Sequence, residues 1–297
     1  MLLDTASLYY RAFYGVPESL TAPDGTPVNA VRGLLDMMTR LVRGRAPDQL
    51  VACWDNDWRP AFRVAAIPSY KEHRVASGNT EDTPPALALQ VPVIEQVLAA
   101  AGVPVAGADG YEADDVIGTL AARADGPVDV VTGDRDLFQV VDDERRIRVI
   151  YTVRGLTKLD VVDEAAITER YQIPGRAYAD FAVLRGDPSD GLPGVKGIGE
   201  KTAATLIRSF GSLAGILTAL DKFAASIPAG PRAKLAAARD YLDVAEPVVR
   251  VATDVNLPPL AGHLPCSPAD PGALATLGER WGLGASLTRL TAALAGD

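Results

Sequence analysis

Three apolar runs in the first half of the chain are predicted to be β-strands, and each leads into an aspartate. They are residues 2–4, 49–55 and 128–134, which end in Asp4, Asp55 and Asp134. Stretches with helical spacing of apolar side chains lie between them, and this alternation is typical of a mainly parallel sheet. Because the carboxyl ends of parallel strands lie at one edge of the sheet, we predict an α/β fold with an acidic site there.

Further acidic residues are placed where they can join that site. Glu112 and Asp115 share one face of a helix predicted over 111–123, and Asp114 lies beside them. The full set of candidate metal ligands is Asp4, Asp55, Glu112, Asp114, Asp115, Asp134, Asp136, Asp187 and Asp190. So many like charges cannot stay ionised and unpaired in one cleft, so we expect two or more Mg²⁺ or Mn²⁺ ions. Each acid alone also suits a turn or a helix N-terminus, so the prediction depends on their acting together.

A glycine-rich turn, Gly-Val-Lys-Gly-Ile-Gly, occupies residues 194–199 and precedes a predicted helix. Glycines let backbone amides come close to a ligand, and the positive end of the next helix suits a phosphate. We interpret residues 184–210 as a helix-hairpin-helix, which holds a nucleic-acid backbone without reading its sequence. The predicted contacts are Gly194, Lys196, Gly197, Gly199 and Lys201.

Basic and aromatic residues between positions 59 and 74 are candidates for one wall of a nucleic-acid channel. Lys71 and Arg74 lie one helical turn apart, and Arg63 and Tyr70 are predicted to contact DNA. The sequence leaves two alternatives open: the basic residues also suit a solvated helix face, and an aromatic residue such as Tyr70 at helical spacing is more often part of the core. Residues 75–85 are rich in Ser, Gly, Thr and Pro, which predicts a mobile segment.

Composition and length limit the class of protein. The 297 residues suggest about two domains, and a change to helices after residue 163 predicts domains at 1–165 and 166–297. A net charge of −9 argues against a nucleic-acid partner unless bound cations neutralise clustered acids. Two cysteines predict a reducing, cytoplasmic location, and the absence of an apolar run near ~20 residues predicts no membrane span.

The motifs together resemble the bacterial 5′–3′ exonuclease and flap endonuclease family, in the form that stands alone without a polymerase. The matching segments are 2–13, 54–55, 62–63, 70–74, 110–118, 131–137 and 184–204. The resemblance implies a PIN-like, Rossmann-like domain, a helical arch at about 71–98, and a helical C-terminal region with the helix-hairpin-helix. It also implies cleavage of DNA with 5′ flaps or nicks and of RNA–DNA hybrids, with coupling to DNA polymerase and ligase.

The resemblance also implies a role for each candidate residue. Asp4, Asp55, Glu112 and Asp114 would hold mainly one metal ion. The ligands of the other would be Asp134, Asp136, Asp187 and Asp190, with Asp115 nearby. Lys71 and Arg74 would approach the scissile phosphate, and the carbonyl groups of Val195 and Ile198 would hold a monovalent cation such as K⁺. The sequence departs from the family at Thr5, where glycine is usual, and at Glu81 and Asp82, which make the arch acidic.

Three other functions compete with a metal-dependent 5′ nuclease. A PIN-type ribonuclease also gathers acids on an α/β sheet, but it does not need the glycine hairpin. A DNA-binding protein that has lost catalysis is disfavoured because all nine acids are present. A phosphatase or other small-molecule hydrolase leaves the hairpin unexplained.

Overall fold

A six-stranded sheet organises the protein, whose computed structural model describes residues 1–78, 80–153, 159–260 and 263–296. The strand order is β5-β2-β1-β6-β7-β8, and every pairing is parallel except β7 with β8. The strands are β1 (Leu2–Asp4), β2 (Val51–Cys53), β3 (Val75–Ser77), β4 (Thr80–Glu81), β5 (Val105–Ala106), β6 (Val128–Thr132), β7 (Ile147–Tyr151) and β8 (Asp160–Val162). The predicted mainly parallel α/β sheet is therefore confirmed.

Helices cover both faces of this sheet and form the second half of the chain. The first six are α1 (Thr5–Gly15), α2 (Asn29–Arg45), α3 (Ala61–Ala66), α4 (Pro85–Ala88), α5 (Val91–Ala101) and α6 (Ala113–Arg123). The others are α7 (Glu164–Tyr171), α8 (Tyr178–Arg185), α9 (Glu200–Phe210), α10 (Leu213–Lys222), α11 (Ala229–Ala237), α12 (Arg239–Val249), α13 (Pro271–Arg280) and α14 (Gly284–Ala295). In the described ranges no single helix has the length and apolar character to cross a membrane. Among the described helices, only α9 and α10 taken together are long and apolar enough, and the chain bends by 77° between them.

Successive residues on the central strands point into two different cores. Leu2 and Val130 belong to one core, and their neighbours Leu3 and Val131 belong to the other. This follows from the two-residue period of a strand, and it explains why these strands are apolar throughout. The first core joins the sheet to α6 and to the helices from α7 to α12. The second joins it to α2 and α5.

The last two helices pack against the α/β part of the molecule. Leu274 of α13 and Leu290 of α14 are buried in the same core as Leu34 of α2 and Leu98 of α5. The predicted division at residue 165 stays a prediction. The packing nevertheless places α13 and α14 beside residues 1–165, although the sequence analysis assigned them to the DNA-binding domain.

The segment expected to form a helical arch, about 71–98, has a different structure in its described residues. A 3₁₀ turn at Glu72–Arg74 leads into β3 and β4, which pair antiparallel as a two-stranded hairpin. Gly78 has a φ of +60°, as a tight turn requires, while residue 79 lies outside the described part. The following α5 buries Val97 and Leu98 in the core, so it is not an open arch. In this structure the described part of the segment is therefore a hairpin followed by a buried helix, and the arch at about 71–98 stays a prediction.

One predicted helix in the second half is two helices. The apolar periodicity predicts a helix over 232–244, whereas α11 ends at Ala237 and α12 begins at Arg239. The break is at Ala238, whose backbone has φ −103° and ψ 16°. Neither glycine nor proline marks this position, so the sequence carries no local signal for it.

Candidate metal centre and nucleic-acid interface

The carboxyl edge of the sheet carries the predicted acidic site. Asp4 ends β1 and caps α1, where its Oδ1 accepts a hydrogen bond from the Ser7 N–H at 3.1 Å. Its Oδ2 accepts from the Thr132 hydroxyl at the end of the adjacent β6, at 2.6 Å. Asp134 follows two residues later. The strand ends therefore bring Asp4 and Asp134 to one place, as the parallel topology predicts.

The N-terminus of α6 forms the other side of this site. Glu112 caps the helix, and Asp114 lies in its first turn. The Ala113 N–H donates to Asp55 Oδ1 at 2.7 Å, which joins α6 to the residues after β2. The positive end of the helix thus faces carboxylates, an arrangement that stabilises negative charge.

These carboxylates line an open cleft with a volume of about 460 Å³. Five of the nine predicted ligands are in its wall: Asp4, Asp55, Glu112, Asp114 and Asp134. Lys71, Arg74, Tyr10 and Arg135 also line it, so the cleft combines a negative floor with basic and aromatic side chains.

Burial and mutual repulsion make the ionised form of these acids unfavourable. Burial, together with the charges of Asp55 and Asp134, raises the pKa of Asp4 to about 7, although the Thr132 hydrogen bond lowers it. The pKa of Asp114 is raised well above its usual value, first by burial and then by the charge of Asp4. Burial and the Asp190 charge likewise raise the pKa of Asp134. A site of this kind is stabilised by positive charge.

In this structure, two basic side chains supply part of that charge. The Lys71 Nζ lies 2.6 Å from Glu112 Oε1, and the Arg74 guanidinium lies 2.9 Å from Asp190 Oδ1. Lys71 has a left-handed backbone with φ 47°, which is uncommon for lysine, and its N–H donates to the Asp190 carbonyl at 2.9 Å. The two predicted phosphate-binding residues therefore lie at the cleft, bound to predicted metal ligands.

Arg63, Tyr70 and Asp115 are not placed as the sequence predicts. Arg63 is 2% exposed and donates to Glu112 at 2.9 Å and to both oxygens of Asp115 at 2.7 Å. Tyr70 is 3% exposed, and its hydroxyl donates to Glu112 at 2.8 Å. The predicted DNA contacts of Arg63 and Tyr70 are therefore wrong for this structure, because neither side chain reaches the surface. Asp115 is neutralised by Arg63 behind the cleft, so it does not face a metal site.

The remaining three acids lie beside the cleft rather than in its lining. Asp187 accepts from Arg135 at 2.8 Å, from Arg185 at 3.2 Å, and from the backbone and hydroxyl of Ser189. Burial alone would raise its pKa, but the bonds from Ser189 and Arg135 lower it. Asp136 follows Asp134, and its Oδ1 is buried without a partner among the described residues. Asp190 is bound by Arg74.

The acids are not arranged around a single point. Within the described residues, no three His, Cys, Asp or Glu side chains are close enough to hold one ion as they stand. Some of their oxygens already have other partners. Lys71 binds Glu112, Arg74 binds Asp190, and a backbone N–H binds Asp55. The residue types and their convergence on one cleft agree with the prediction, whereas their assignment to particular ions stays a prediction.

The glycine hairpin connects α8 to α9 by way of a 3₁₀ turn at Pro188–Asp190. Gly194 has φ +63°, and a Cβ there would meet the backbone of Arg185 and Gly186. Val195 and Ile198 are buried anchors, at 2% and 3% exposure, so the intervening part of the turn faces outward. Of the five predicted contacts, Lys196, Gly197, Gly199 and Lys201 are exposed, as a phosphate grip requires, whereas Gly194 is buried.

Sequence reasoning missed two arginines that organise the site. Arg135 lies between Asp134 and Asp136 in Gly-Asp-Arg-Asp, so the motif that identified the acids also contained it. Arg185, at the end of α8, precedes Asp187 by two residues and carries no comparable signal. Both bind Asp187, which couples the helical region to the sheet edge.

Comparison with known proteins agrees with this geometry over the whole chain. Residues 1–172 match the family model of a 5′–3′ exonuclease N-terminal resolvase-like domain, and residues 173–271 match the 5′–3′ exonuclease C-terminal SAM fold. A 5′–3′ exonuclease of Streptomyces coelicolor is 60% identical over 299 residues and covers 99% of each chain. One of Mycobacterium tuberculosis is 51% identical and covers 99% of this chain and 97% of the relative. DNA polymerase I of Mycobacterium bovis is 41% identical over 80% of this chain, which spans 26% of that polymerase.

Solved structures share the fold at low sequence identity. T5 5′-exonuclease with bound zinc has a TM-score of 0.64 at 17% identity, covering 99% of this chain and 97% of that one. Flap endonuclease-1 from Methanococcus jannaschii has a TM-score of 0.63 at 16% identity, covering 100% and 92%. The catalytic core of Rad2 in complex with DNA has a TM-score of 0.57 at 16% identity, covering 99% and 91%. On the evidence of both domain models and of the full-length relatives, this chain belongs to the 5′–3′ exonuclease family.

Proposed function

We propose that the chain is a metal-dependent 5′ nuclease that hydrolyses phosphodiester bonds in DNA with 5′ flaps or nicks and in RNA–DNA hybrids. The observation that carries the proposal is the cleft in which five carboxylates converge beside a glycine hairpin with exposed lysines. The cleft is open, as a polymer substrate requires, and the hairpin provides a backbone grip that a small-molecule hydrolase does not need.

The cleft residues fit divalent cations. Their donors are oxygens, their pKa values are raised by burial and by one another, and Asp136 Oδ1 is buried without a partner among the described residues. We propose Mg²⁺ or Mn²⁺, with Asp4, Asp55, Glu112 and Asp114 for one ion. Asp134, Asp136, Asp187 and Asp190 would serve the other. Such ions supply Lewis-acid stabilisation of the phosphodiester and lower the pKa of water.

The chain's own residues would bind and orient the substrate. Lys196 lies in the hairpin and Lys201 in the first turn of α9, and both are exposed. The first N–H groups of α9 form the positive end of its dipole, directly after the hairpin. We propose that this surface holds the phosphates of the duplex and so directs the 5′ end to the cleft. Because the contacts are to phosphates, binding should weaken steeply as salt rises.

Lys71 and Arg74 would act on the reacting phosphate. Their side chains are 13% and 37% exposed at the wall of the cleft, and their donors are close enough to bind Glu112 and Asp190 directly. We propose that they turn to phosphate oxygens when the substrate enters and stabilise the negative charge that develops there. Cleavage would leave a 3′-hydroxyl and a 5′-phosphate.

The setting of the activity is also a proposal. The similarity to DNA polymerase I supports coupling to a polymerase in replication and repair. Coupling to a ligase is proposed from the family resemblance alone. Cys53 and Cys266 are free thiols, which supports a reducing cytoplasmic location.

A 5′-labelled flap duplex tests the proposal directly. The wild type, Asp134→Ala and the control Asp125→Ala would be compared in EDTA, Mg²⁺ and Mn²⁺, since Asp125 is an exposed acid outside the cleft lining. We expect metal-dependent cutting near the junction by the wild type and by the control. Asp134→Ala should bind the flap without cutting it.

Two results would contradict this function. Tight flap binding by the wild type without cutting in any metal would favour a binding protein. Absence of both binding and cutting would exclude the nuclease and the binding protein together.

A further inference from the structure

A lysine side chain of the protein itself contacts the glycine hairpin. Lys234 of α11 donates from its Nζ to the carbonyl oxygen of Gly197 at 2.8 Å, across 37 positions of sequence. Gly197 is the middle glycine of the hairpin, between the carbonyl groups of Val195 and Ile198 that were expected to hold K⁺. The lysine therefore reaches the turn at the place predicted for a monovalent ion.

Packing around Gly197 shows that this contact is built into the fold. A Cβ at Gly197 would lie 3.0 Å from Lys234 Nζ and 3.1 Å from its Cε, so the end of the lysine side chain packs directly against Gly197. Gly197 also has φ +79°, which disfavours any side chain there. The neighbouring Leu235 is fully buried in the same core as Val195 and Ile198, which fixes α11 against the hairpin.

The electrostatic surroundings leave the ammonium positive charge available. Among the described residues, no carboxylate lies within ion-pair distance of Lys234. By contrast, Arg185, Arg239 and Arg250 in the same helical region each pair with a carboxylate. An ammonium has three donors, and the Gly197 bond uses one of them. Lys234 is exposed, so the other two face solvent at the hairpin.

We propose that Lys234 is a phosphate-binding residue that takes the place of a monovalent metal ion at the hairpin. Its ammonium donates to the Gly197 carbonyl, holds the turn, and binds a phosphate of the duplex with its remaining donors. A separate K⁺ fits the hairpin poorly, because the Lys234 ammonium already lies on the Gly197 carbonyl and its positive charge repels a second cation there. The Ile198 N–H, at 2.8 Å, also uses one of the two lone pairs of the Val195 carbonyl. This inference rests on the proposed function of the hairpin as a DNA grip.

The test is flap-duplex binding in EDTA, measured in KCl, NaCl and tetramethylammonium chloride at equal ionic strength. Lys234→Met would be compared with the wild type, with Lys234→Arg, which keeps the charge, and with Lys222→Met. Lys222 is an exposed lysine of α10, so its loss changes the net charge equally without touching the hairpin.

We expect wild-type binding to be the same with all three cations. Lys234→Met should bind about fivefold to tenfold more weakly, with a salt slope lower by roughly one, and should recover part of its affinity in KCl alone. Lys234→Arg should resemble the wild type, and Lys222→Met should show a smaller loss with no preference among cations.

The assignment is overturned if wild-type binding requires K⁺ or if Lys234→Met and Lys222→Met behave alike. Failure of every form, including the wild type, to bind the flap in any salt is a separate result. It would overturn the proposed function and, with it, the role of Lys234.

Discussion

Arg63 connects three parts of the molecule through one guanidinium. It binds Glu112 and Asp115 of the α6 N-terminus, and its Nε donates to the Val248 carbonyl of α12 at 2.9 Å. Asp115 is fully buried, so its charge depends on this partner. The guanidinium therefore supports the cleft from behind, because Glu112 reaches the cleft on its other side.

Replacing Arg63 with Met should destabilise the fold, since it leaves Asp115 buried and unpaired. We expect a loss of about 3–5 kcal/mol in the free energy of unfolding, measured in urea. Arg170→Ala is the matched control, because its pair with Asp160 is about one-third exposed and should contribute only ~0–1 kcal/mol. Unchanged stability together with weaker DNA binding would instead make Arg63 a DNA contact.

Asp4 should make the metal-free protein less stable as pH rises from about 5 to 7. Burial raises its native pKa to about 7, so in this window the native state binds more protons than the unfolded state. The free energy of unfolding therefore falls with increasing pH. In EDTA we expect the Tm to decrease across this window, and Asp4→Asn should flatten the decrease.

Divalent cations should reverse that loss, because they bind the ionised acids of the native state. At a hundredfold excess over Kd, binding adds roughly 2.7 kcal/mol. Mg²⁺ should therefore raise the Tm of the wild type at pH 7 and raise that of Asp4→Asn less. A Tm that increases with pH in EDTA would contradict the assignment.

At the scale of elements, the β3–β4 hairpin places a negative charge at the mouth of the cleft. Glu81 lines the cleft, and burial raises its pKa. Glu81→Gln should strengthen flap binding about twofold to fivefold, as removal of one repulsion of ~0.3–1 kcal/mol predicts. Asp82→Asn is the control, because Asp82 is the exposed neighbour outside the lining. Equal effects of both changes would show a general charge effect only.

The glycine hairpin offers a test of backbone geometry with a control inside the same motif. Gly194→Ala places a side chain at φ +63° against the Arg185–Gly186 backbone, so we expect a loss of more than ~1–2 kcal/mol and weaker flap binding. Gly199→Ala should be tolerated, because its φ is −94° and its Cβ would meet open space. Similar losses in both variants would contradict a special requirement for the left-handed, closely packed backbone at Gly194.

The helices on either side of that hairpin and three strands of the sheet, β1, β2 and β6, were predictable because their apolar pattern agrees with their final packing. No prediction covered β5 or β8. β1 at Leu2–Asp4 has the predicted bounds, and α7 at Glu164–Tyr171 begins where the change to helices was predicted. Local patterns did not reveal α1, which begins directly after β1 and is capped by the predicted ligand Asp4. They also missed the break at Ala238, where no side chain interrupts the helical pattern.

Across the whole molecule, the positions of the acids were more predictable than their partners. Parallel strands force Asp4 and Asp134 to the same edge, whatever surrounds them. The burial of Arg63 and Tyr70 depends on α12 and α6, which are far from them in sequence. Long-range contacts of this kind leave no local signal in the sequence. The sequence therefore did not distinguish a buried Arg63 or Tyr70 from an exposed one.

The two C-terminal helices close the face of the sheet opposite the glycine hairpin. Leu290 of α14 is fully buried in a core with residues of α2, whereas Leu206 of α9 lies in the other core, behind the hairpin. Each Leu→Ala change should cost about 2–5 kcal/mol in the free energy of unfolding.

Their effects on DNA should differ, which makes them a matched pair. Leu206→Ala should also weaken flap binding, because α9 carries the N-terminus that we propose binds the phosphate. Leu290→Ala should leave the Kd and the cleavage rate unchanged at a temperature where the variant remains folded, measured by urea unfolding and flap binding on the same samples. Weaker binding in Leu290→Ala alone would place α14 in the DNA interface, and the tail would then belong functionally with the helical region.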